Sequence, residues 1–455
     1  ALRLTHDRPA KISLDRLTSL PDMNPQDANA RASGERAHPY GYVATVTSLT
    51  ELSGHLWPGL LEMTMTAMLT DFSESIAVAA QSRAEAFIAA NRFERPTLVI
   101  DTQAVADRYA ALSRGLSDAH IHYAVKANPA PEIIARLVSL GSGFDAASRA
   151  EVELCLDQGA SPDQISFGNT VKKPADIAYA YAQGIRLFAA DAEEELEKIA
   201  AHAPGAQVYI RLIVEFSEAD WPLTRKFGCA RSNLMHLFQH AKMLGLDPVG
   251  LSFHVGSQTR RASMWAGILD EVAASWRALQ KAGFNPRLLN IGGGFPAFYG
   301  EEVDGPEVYG TQVRRLIADR FGDVAHIMAE PGRGLVAEAG AIAAEVLLVS
   351  RKARTDLHRW VFLDIGKFSG LAETMDEAIR YQFLTDRDSD DAMGPCILAG
   401  PSCDSADVLY EKRPVFLPLS LQSGDRIVIR NCGAYTSTYA SIGFNGFPPL
   451  DVVVI

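Results

Sequence analysis

From about Thr97 onward the chain alternates short apolar runs with stretches whose apolar residues recur three and four apart, the pattern of strands separated by amphipathic helices. The first convincing helix is read from about Ser73 to Ala90, and a proline break separates it from a strand, ThrLeuValIleAsp, starting at Thr97. Further strands are expected at TyrAlaVal from Tyr123, IleSerPhe from Ile165, ArgLeuPheAla from Arg186 and ValTyrIleArgLeuIleVal from Val208. GlyLeuSerPheHisVal from Gly250, LeuLeuAsnIle from Leu288 and HisIleMetAla from His326 follow, with helices around Ile133 to Leu140 and over Arg149 to Gln158. With the Thr97 run included, that makes eight strands, the number that closes a (β/α)8 barrel.

After about Gly340 the texture changes to β-rich runs such as AlaGluValLeuLeuVal, TrpValPheLeuAsp, ArgIleValIleArg and AspValValValIle, so a second, mostly β domain is expected. Residues 1–70 sustain neither period. They read as a leader outside the fold, upstream of a natural start near Met63, Met65 or Met68, or alternatively as an accessory arm. The expected division is a leader at 1–70 and, at 71–98, a helix and strand that lead into the barrel and partly join the β domain. The barrel itself is placed at 99–340 and the β-rich domain at 341–455.

Composition narrows the classes without naming a function. Apolar residues make up 47% of the 455 positions and charged residues 22%, enough to build a large core and too ordinary for a disordered chain. The net charge of −12 argues against a nucleic-acid surface and leaves a small-molecule site as the better expectation. Five cysteines without a CxxC pair suggest neither a disulfide framework nor a zinc site, so no metal is expected. No apolar run reaches the roughly 18 residues that would span a bilayer, and the first residues lack a signal pattern. A soluble protein of the cytoplasm with no membrane partner is the expectation.

The candidate chemistry sits where strands end. Lys126 closes TyrAlaValLys ahead of AlaAsnPro, which places an amine at the C-terminal mouth of a barrel strand; it is a surface lysine or a Schiff-base former. GlyGlyGly at 292–294 is a structural turn or a loop whose bare N–H groups approach a phosphate. GluProGlyArg at 330–333 offers a carboxylate suited to a protonated ring nitrogen and a guanidinium suited to a phosphate, or else a surface ion pair on a turn. His254 is a core histidine, a base or an aromatic platform, and Ser257 stands three residues on as a hydroxyl donor. Taken alone, Cys403 and Asp404, GlyAlaTyrThr at 433–436 and PheAsnGlyPhe at 444–447 are no more than loops.

Their order along the chain says more than any one of them. TyrAlaValLysAlaAsn, GlyPheAspAlaAlaSer, PheHisValGlySer, GlyGlyGlyPhePro, GluProGlyArg, CysAsp and GlyAlaTyr, in that sequence, resemble the fold-type III pyridoxal-phosphate decarboxylases of the ornithine and diaminopimelate group, from about Thr97 to the C-terminus. The resemblance implies an α/β chain: a TIM-like (β/α)8 barrel that binds pyridoxal 5′-phosphate and a C-terminal mostly β domain, as in the alanine racemase-like fold. It implies that Lys126 carries the cofactor as a Schiff base, that Asp145 is its nearby carboxylate, and that His254 stacks on the cofactor face. Glu330 would hold the pyridine nitrogen proton and Arg211 would lie close by. Ser257, Gly293, Gly294, Arg333 and Tyr435 would cradle the phosphate. The family works as a homodimer with shared sites, so Cys403, as proton donor, and Asp404 are expected to serve the partner subunit. Asn290 departs from the frequent Asp at its position, with little consequence expected.

The resemblance also bears on substrate. Ornithine-type members carry CysAsp where diaminopimelate enzymes carry CysGlu, and the latter place an Arg where this chain has Ala372. Negative charge from Asp404 and from Asp376 or Glu377, with Glu377 preferred, suits a distal ammonium, and Phe444 joins this substrate-binding set. The leading expectation is L-ornithine decarboxylation to putrescine in polyamine biosynthesis. Lysine or dual lysine/ornithine decarboxylation comes next, then diaminopimelate decarboxylation. A non-catalytic regulatory homologue is the alternative from another class.

Overall fold

The computed structural model describes residues 82–214, 226–322, 324–388 and 392–455. The leader and the first part of the Ser73 to Ala90 helix lie outside these. What is described of that helix runs over Arg83–Ala90, opened by a capping box in which Ser82 accepts from the Glu85 N–H and Glu85 accepts from the Ser82 N–H.

Eight parallel strands close a barrel: β2 (His120–Ala124), β3 (Gly143–Ala146), β4 (Ile165–Phe167), β5 (Leu187–Ala190), β6 (Gln207–Arg211), β7 (Asp247–Ser252), β8 (Leu288–Asn290) and β9 (His326–Ala329). Pairing runs in chain order, and β9 closes the ring on β2 through His120↔Met328 and Ile121↔Ala329. The count matches the sequence expectation but its membership differs. The Thr97 run is β1 (Thr97–Ile100), and it leaves the barrel to pair antiparallel with β10 (Gly340–Ser350). The eighth place belongs to GlyPheAspAla, which the apolar pattern passes over because Gly and Asp are poor strand formers. The barrel needs that glycine: a Cβ on Gly143 would lie 2.8 Å from the His122 ring.

The second region is a nine-stranded sheet built on β10, which pairs with β11 (Arg359–Leu363) and β16 (Arg426–Arg430). β12 (Gln382–Thr385), β13 (Met393–Ala399), β14 (Val408–Leu409) and β15 (Val415–Pro418) extend it. The last strand, β17 (Asp451–Val454), lies parallel to β1 with Thr97↔Asp451 in register, so both ends of the described fold are tied into one sheet. β1 is buried at all four positions, as a strand covered on both faces must be. One continuous apolar core runs from the barrel strands into the β-rich region, through Tyr123, Phe144 and Phe253 on one side and Leu363, Leu398 and Ile429 on the other.

Candidate active site

The barrel places its chemistry at the C-terminal ends of its strands, as parallel barrels do. Lys126 follows β2 in a single 3₁₀ turn, Val125–Ala127, held by flanking buried Val125 and Ala127 while its own side chain is half-exposed. Its Nζ stands 3.0 Å from Asp145 Oδ2 at the end of β3. Partial withdrawal from water at the cavity mouth works against charge on this amine, but Asp145, with Tyr435 and Glu330, outweighs it and holds the ammonium above its ordinary pKa. The other Asp145 oxygen, Oδ1, is buried without a hydrogen bond and faces Gly168, where a Cβ would sit 1.8 Å from it.

A narrow cavity at this mouth is lined by Lys126, His254, Ser257, Gly293, Gly294, Glu330, Arg333 and Tyr435, with Ala124, Phe295 and Gly332 between them. Eight of the ten residues expected to hold the cofactor therefore line one space. Asp145 joins through Lys126. Arg211, at the end of β6, has its guanidinium 5.2 Å from the Phe227 ring centre and lies near enough to act on the titration of both His254 and Glu330.

Two of these groups sit far from their ordinary protonation. Burial, with the positive charges of Arg211 and Lys126, pushes His254 down to about 3, so at neutral pH it is an uncharged ring whose Nδ1 accepts from the Gly256 N–H. Burial, with the negative charge of Asp145, pushes Glu330 up to about 7, while Lys126, the Asn290 side-chain N–H and Arg211 act the other way. The Asn290 Nδ2 donates to Glu330 Oε1, so the carboxyl meets a neutral donor here.

The glycine loop is bare because it must be. A Cβ on Gly293 would lie 2.8 Å from the Glu330 carbonyl oxygen; on Gly294, at φ +102°, it would lie 2.6 Å from that of Gly256. Tyr435 closes the cavity from the β-rich region at φ +55°, its N–H donating 2.9 Å to the Ala127 carbonyl. The amine, the buried carboxyl, the uncharged imidazole and a bare loop beside a hydroxyl and a guanidinium make a donor set that fits pyridoxal 5′-phosphate.

Sequence reasoning missed two residues here. Glu373 forms a buried pair with Arg333, Nη1 to Oε2 at 2.7 Å and Nη2 to Oε1 at 2.5 Å. Asp407 anchors the Cys403 loop by accepting from the Lys367 N–H at 2.7 Å and the Ser402 hydroxyl at 2.7 Å. Its carboxylate is crowded by Gly366 and Gly400, where a Cβ would lie 2.2 Å from it. Glu373 belongs to no motif; Asp407, three residues beyond CysAsp, was within reach.

The remaining candidates do not line the Lys126 cavity. Cys403 and Asp404 are exposed: the Cys403 N–H donates 2.8 Å to Asn445 Oδ1, and Asp404 Oδ1 accepts from the Ala406 N–H at 2.8 Å. Phe444 packs on Phe368 with ring centres 4.9 Å apart and stays over a third exposed. Glu377 is buried and fully engaged: Oε1 accepts from the Lys412 and Arg413 N–H groups, and Oε2 meets Arg380 at 3.0 Å and Arg413 at 3.3 Å. Burial would raise its pKa, but these donors hold it below the ordinary value. Asp376 beside it is 96% exposed and 4.0 Å from Lys412 Nζ. Both have positive φ, +55° and +59°, in a turn that sends the two carboxylates in different directions. Glu377, preferred from the sequence, is thus engaged within its own turn, and Asp376 is the exposed carboxylate of the two.

Among the described residues no helix is long and apolar enough to cross a membrane, and no group of three or more His, Cys, Asp or Glu is arranged to hold a metal ion.

Residues 102–337 match the family model described as pyridoxal-dependent decarboxylase, pyridoxal binding domain. The chain is 33% identical over 363 residues to the lysine/ornithine decarboxylase of Selenomonas ruminantium, covering 79% of this chain and 89% of that one. Among solved structures, the lysine/ornithine decarboxylase of Vibrio vulnificus complexed with cadaverine superposes with a TM-score of 0.73 at 29% identity, over 83% of this chain and all of that one. The arginine decarboxylase of Paramecium bursaria Chlorella virus bound to agmatine gives 0.74 at 28% identity, over 81% of this chain and all of that one.

Proposed function

The chain belongs to the pyridoxal-dependent decarboxylases, and from that premise we propose that it removes the α-carboxylate of L-ornithine as CO2 and leaves putrescine. The observation that carries the substrate reading is the charge at the distal end. Position 372 is Ala, which offers no cation of its own to a second carboxylate, while Asp376, 4.0 Å from Lys412 Nζ, and Asp404 present exposed carboxylates on the β-rich region. A distal ammonium left without an anion, or a distal carboxylate left without a cation, costs several kcal/mol once buried.

When bound, pyridoxal phosphate supplies a protonated pyridine ring that takes up the electron pair left on Cα as CO2 departs. Lys126 would hold the cofactor through its side-chain amine, which would become free again when the substrate's own amine takes that place. Asp145, 3.0 Å from Nζ, keeps that amine oriented through the exchange. Glu330 holds the proton on the ring nitrogen from a buried position. Neutral His254 offers a flat uncharged face. The N–H groups of Gly293 and Gly294, with Ser257, Arg333 and Tyr435, hold the phosphate. Cys403, reaching the site from a second copy of the chain, gives its Sγ proton to Cα, and Asp404 and Asp376 receive the distal ammonium.

One methylene separates ornithine from lysine, and a pocket discriminates it by only about 1–3 kcal/mol. Lysine therefore stands second, and the arginine enzyme among the structural relatives adds a third cationic substrate of the same charge type. The test is CO2 release with product identification on ornithine, lysine, arginine and diaminopimelate. Putrescine formation with the highest kcat/KM supports the reading. A higher value on diaminopimelate overturns the charge argument, and no turnover on any of the four favours a non-catalytic regulatory role.

A further inference from the structure

The phosphate cradle contains a charge that the other cradle residues do not account for. Arg333 opens the short helix Arg333–Val336 and is 4% exposed, while Glu373 reaches it from the turn at Ala372–Glu377 and is 7% exposed. Both terminal nitrogens of the guanidinium are bonded to this carboxylate. Nη1 also donates 3.0 Å to the Tyr299 hydroxyl, Nη2 donates 3.2 Å to Ser257 Oγ, and the Tyr435 ring centre lies 5.0 Å from the guanidinium carbon. Such a bidentate pair is strong and directional, and in a buried site it cancels most of the arginine's field.

We propose that Glu373 is the counter-anion of the phosphate-binding arginine: it keeps Arg333 in place and offsets its charge, and so sets how tightly this chain holds the phosphate of its cofactor. The inference rests on the reading that the Lys126 cavity takes pyridoxal phosphate. Two consequences separate it from a scaffold role. Tyr299, Ser257 and Tyr435 also hold the guanidinium, so Arg333 keeps its position when Glu373 loses its charge but not its shape. A phosphate dianion is repelled by a carboxylate on the far side of that guanidinium, so neutralising Glu373 strengthens phosphate binding.

The test compares the affinity of the full-length protein for pyridoxal 5′-phosphate and for pyridoxal, which lacks the phosphate, followed by the absorbance of the lysine-bound aldehyde and checked by equilibrium dialysis. The ratio of the two dissociation constants isolates the phosphate's contribution. Glu373→Gln is expected to raise the preference for the phosphorylated form by about tenfold or more, the scale of relieving one nearby like charge, and Glu373→Asp to restore the wild-type ratio. A ratio that is unchanged or lowered in Glu373→Gln overturns the proposal. Should Glu373→Gln not fold, Arg333→Met with Glu373→Met removes the pair together, a replacement that buried ion pairs commonly tolerate. A loss of phosphate preference of about tenfold or less then supports the offset, and a loss of about a hundredfold or more shows that Arg333 acts as a full cation and overturns it. Wild-type protein that binds neither aldehyde overturns the cofactor reading beneath the proposal, and the proposal with it.

Discussion

The barrel mouth and the loops of the β-rich region hold their candidate residues in opposite ways. Around Lys126 every group already has a neighbour: Asp145 on the amine, Asn290 on Glu330, Gly256 on His254, Glu373 on Arg333. On the β-rich loops Cys403, Asp404 and Asp376 are exposed, on turns anchored from behind by Asp407 and Glu377. Preassembly suits residues that bind a permanent cofactor, because the cost of orienting them is met by folding. Exposed reactive groups on firmly anchored turns suit residues that complete a site only on association, which is how we read this half.

The largest expected effect comes from breaking the preassembled half. Lys126→Ala should lose the visible band of the lysine-bound cofactor and reduce turnover by about a thousandfold or more, since both covalent attachment and proton handling go with the amine. A variant that keeps band and turnover would remove the assignment of the mouth.

Smaller effects are expected from the loops. Asp404→Ala should lower kcat/KM on ornithine by about a hundredfold, the scale of leaving a buried ammonium unpaired, with the cofactor band intact. Asp376→Asn and Glu377→Gln then sharpen the contrast within one turn. The first should raise KM about tenfold with thermal stability unchanged. The second should lower the melting temperature and spare KM, because Glu377 holds Arg380, Arg413 and two backbone N–H groups. An effect of Glu377→Gln on KM alone would return it to the substrate.

The smallest effect is one of stability, with a sign that sets a functional acid apart from a structural one. Glu330 is raised to about 7, so in the cofactor-free protein the folded state binds this proton more tightly than the unfolded chain does. Its contribution is full below the ordinary glutamate range and is lost as pH rises towards about 7. Glu330→Gln carries no such penalty. It should be more stable than wild type at pH 8, by about 3 kcal/mol, and level with it near pH 4, while losing activity. Equal stability at both pH values would mean that the carboxyl is not held in its neutral form.

The barrel motifs were legible because each lies at a strand end, where a short apolar run is followed by a polar group or by glycine. The membership of the barrel was less so. β1 is apolar at every position, and a strand inside a sheet reads like a strand inside a parallel barrel. β3 carries Gly143 because the His122 ring leaves no room for a side chain, so the residue that packing demands is the one that hides the strand. How differently Asp376 and Glu377 are held was beyond any pattern, since it depends on two successive positive φ angles and on donors at 412 and 413. Glu373 was hidden for a similar reason: its partner lies forty residues earlier and meets it only in the folded chain.

The comparison stands or falls on whether the two halves meet between subunits. Lys126→Ala and Cys403→Ala proteins, each inactive, are to be mixed under conditions where subunit exchange is demonstrated and assayed for CO2 release from ornithine. With random exchange half of the dimers are mixed and each has one intact site of two, so recovery should approach about a quarter of wild-type activity. No recovery despite demonstrated exchange would contradict the account and show that each site is built within one chain.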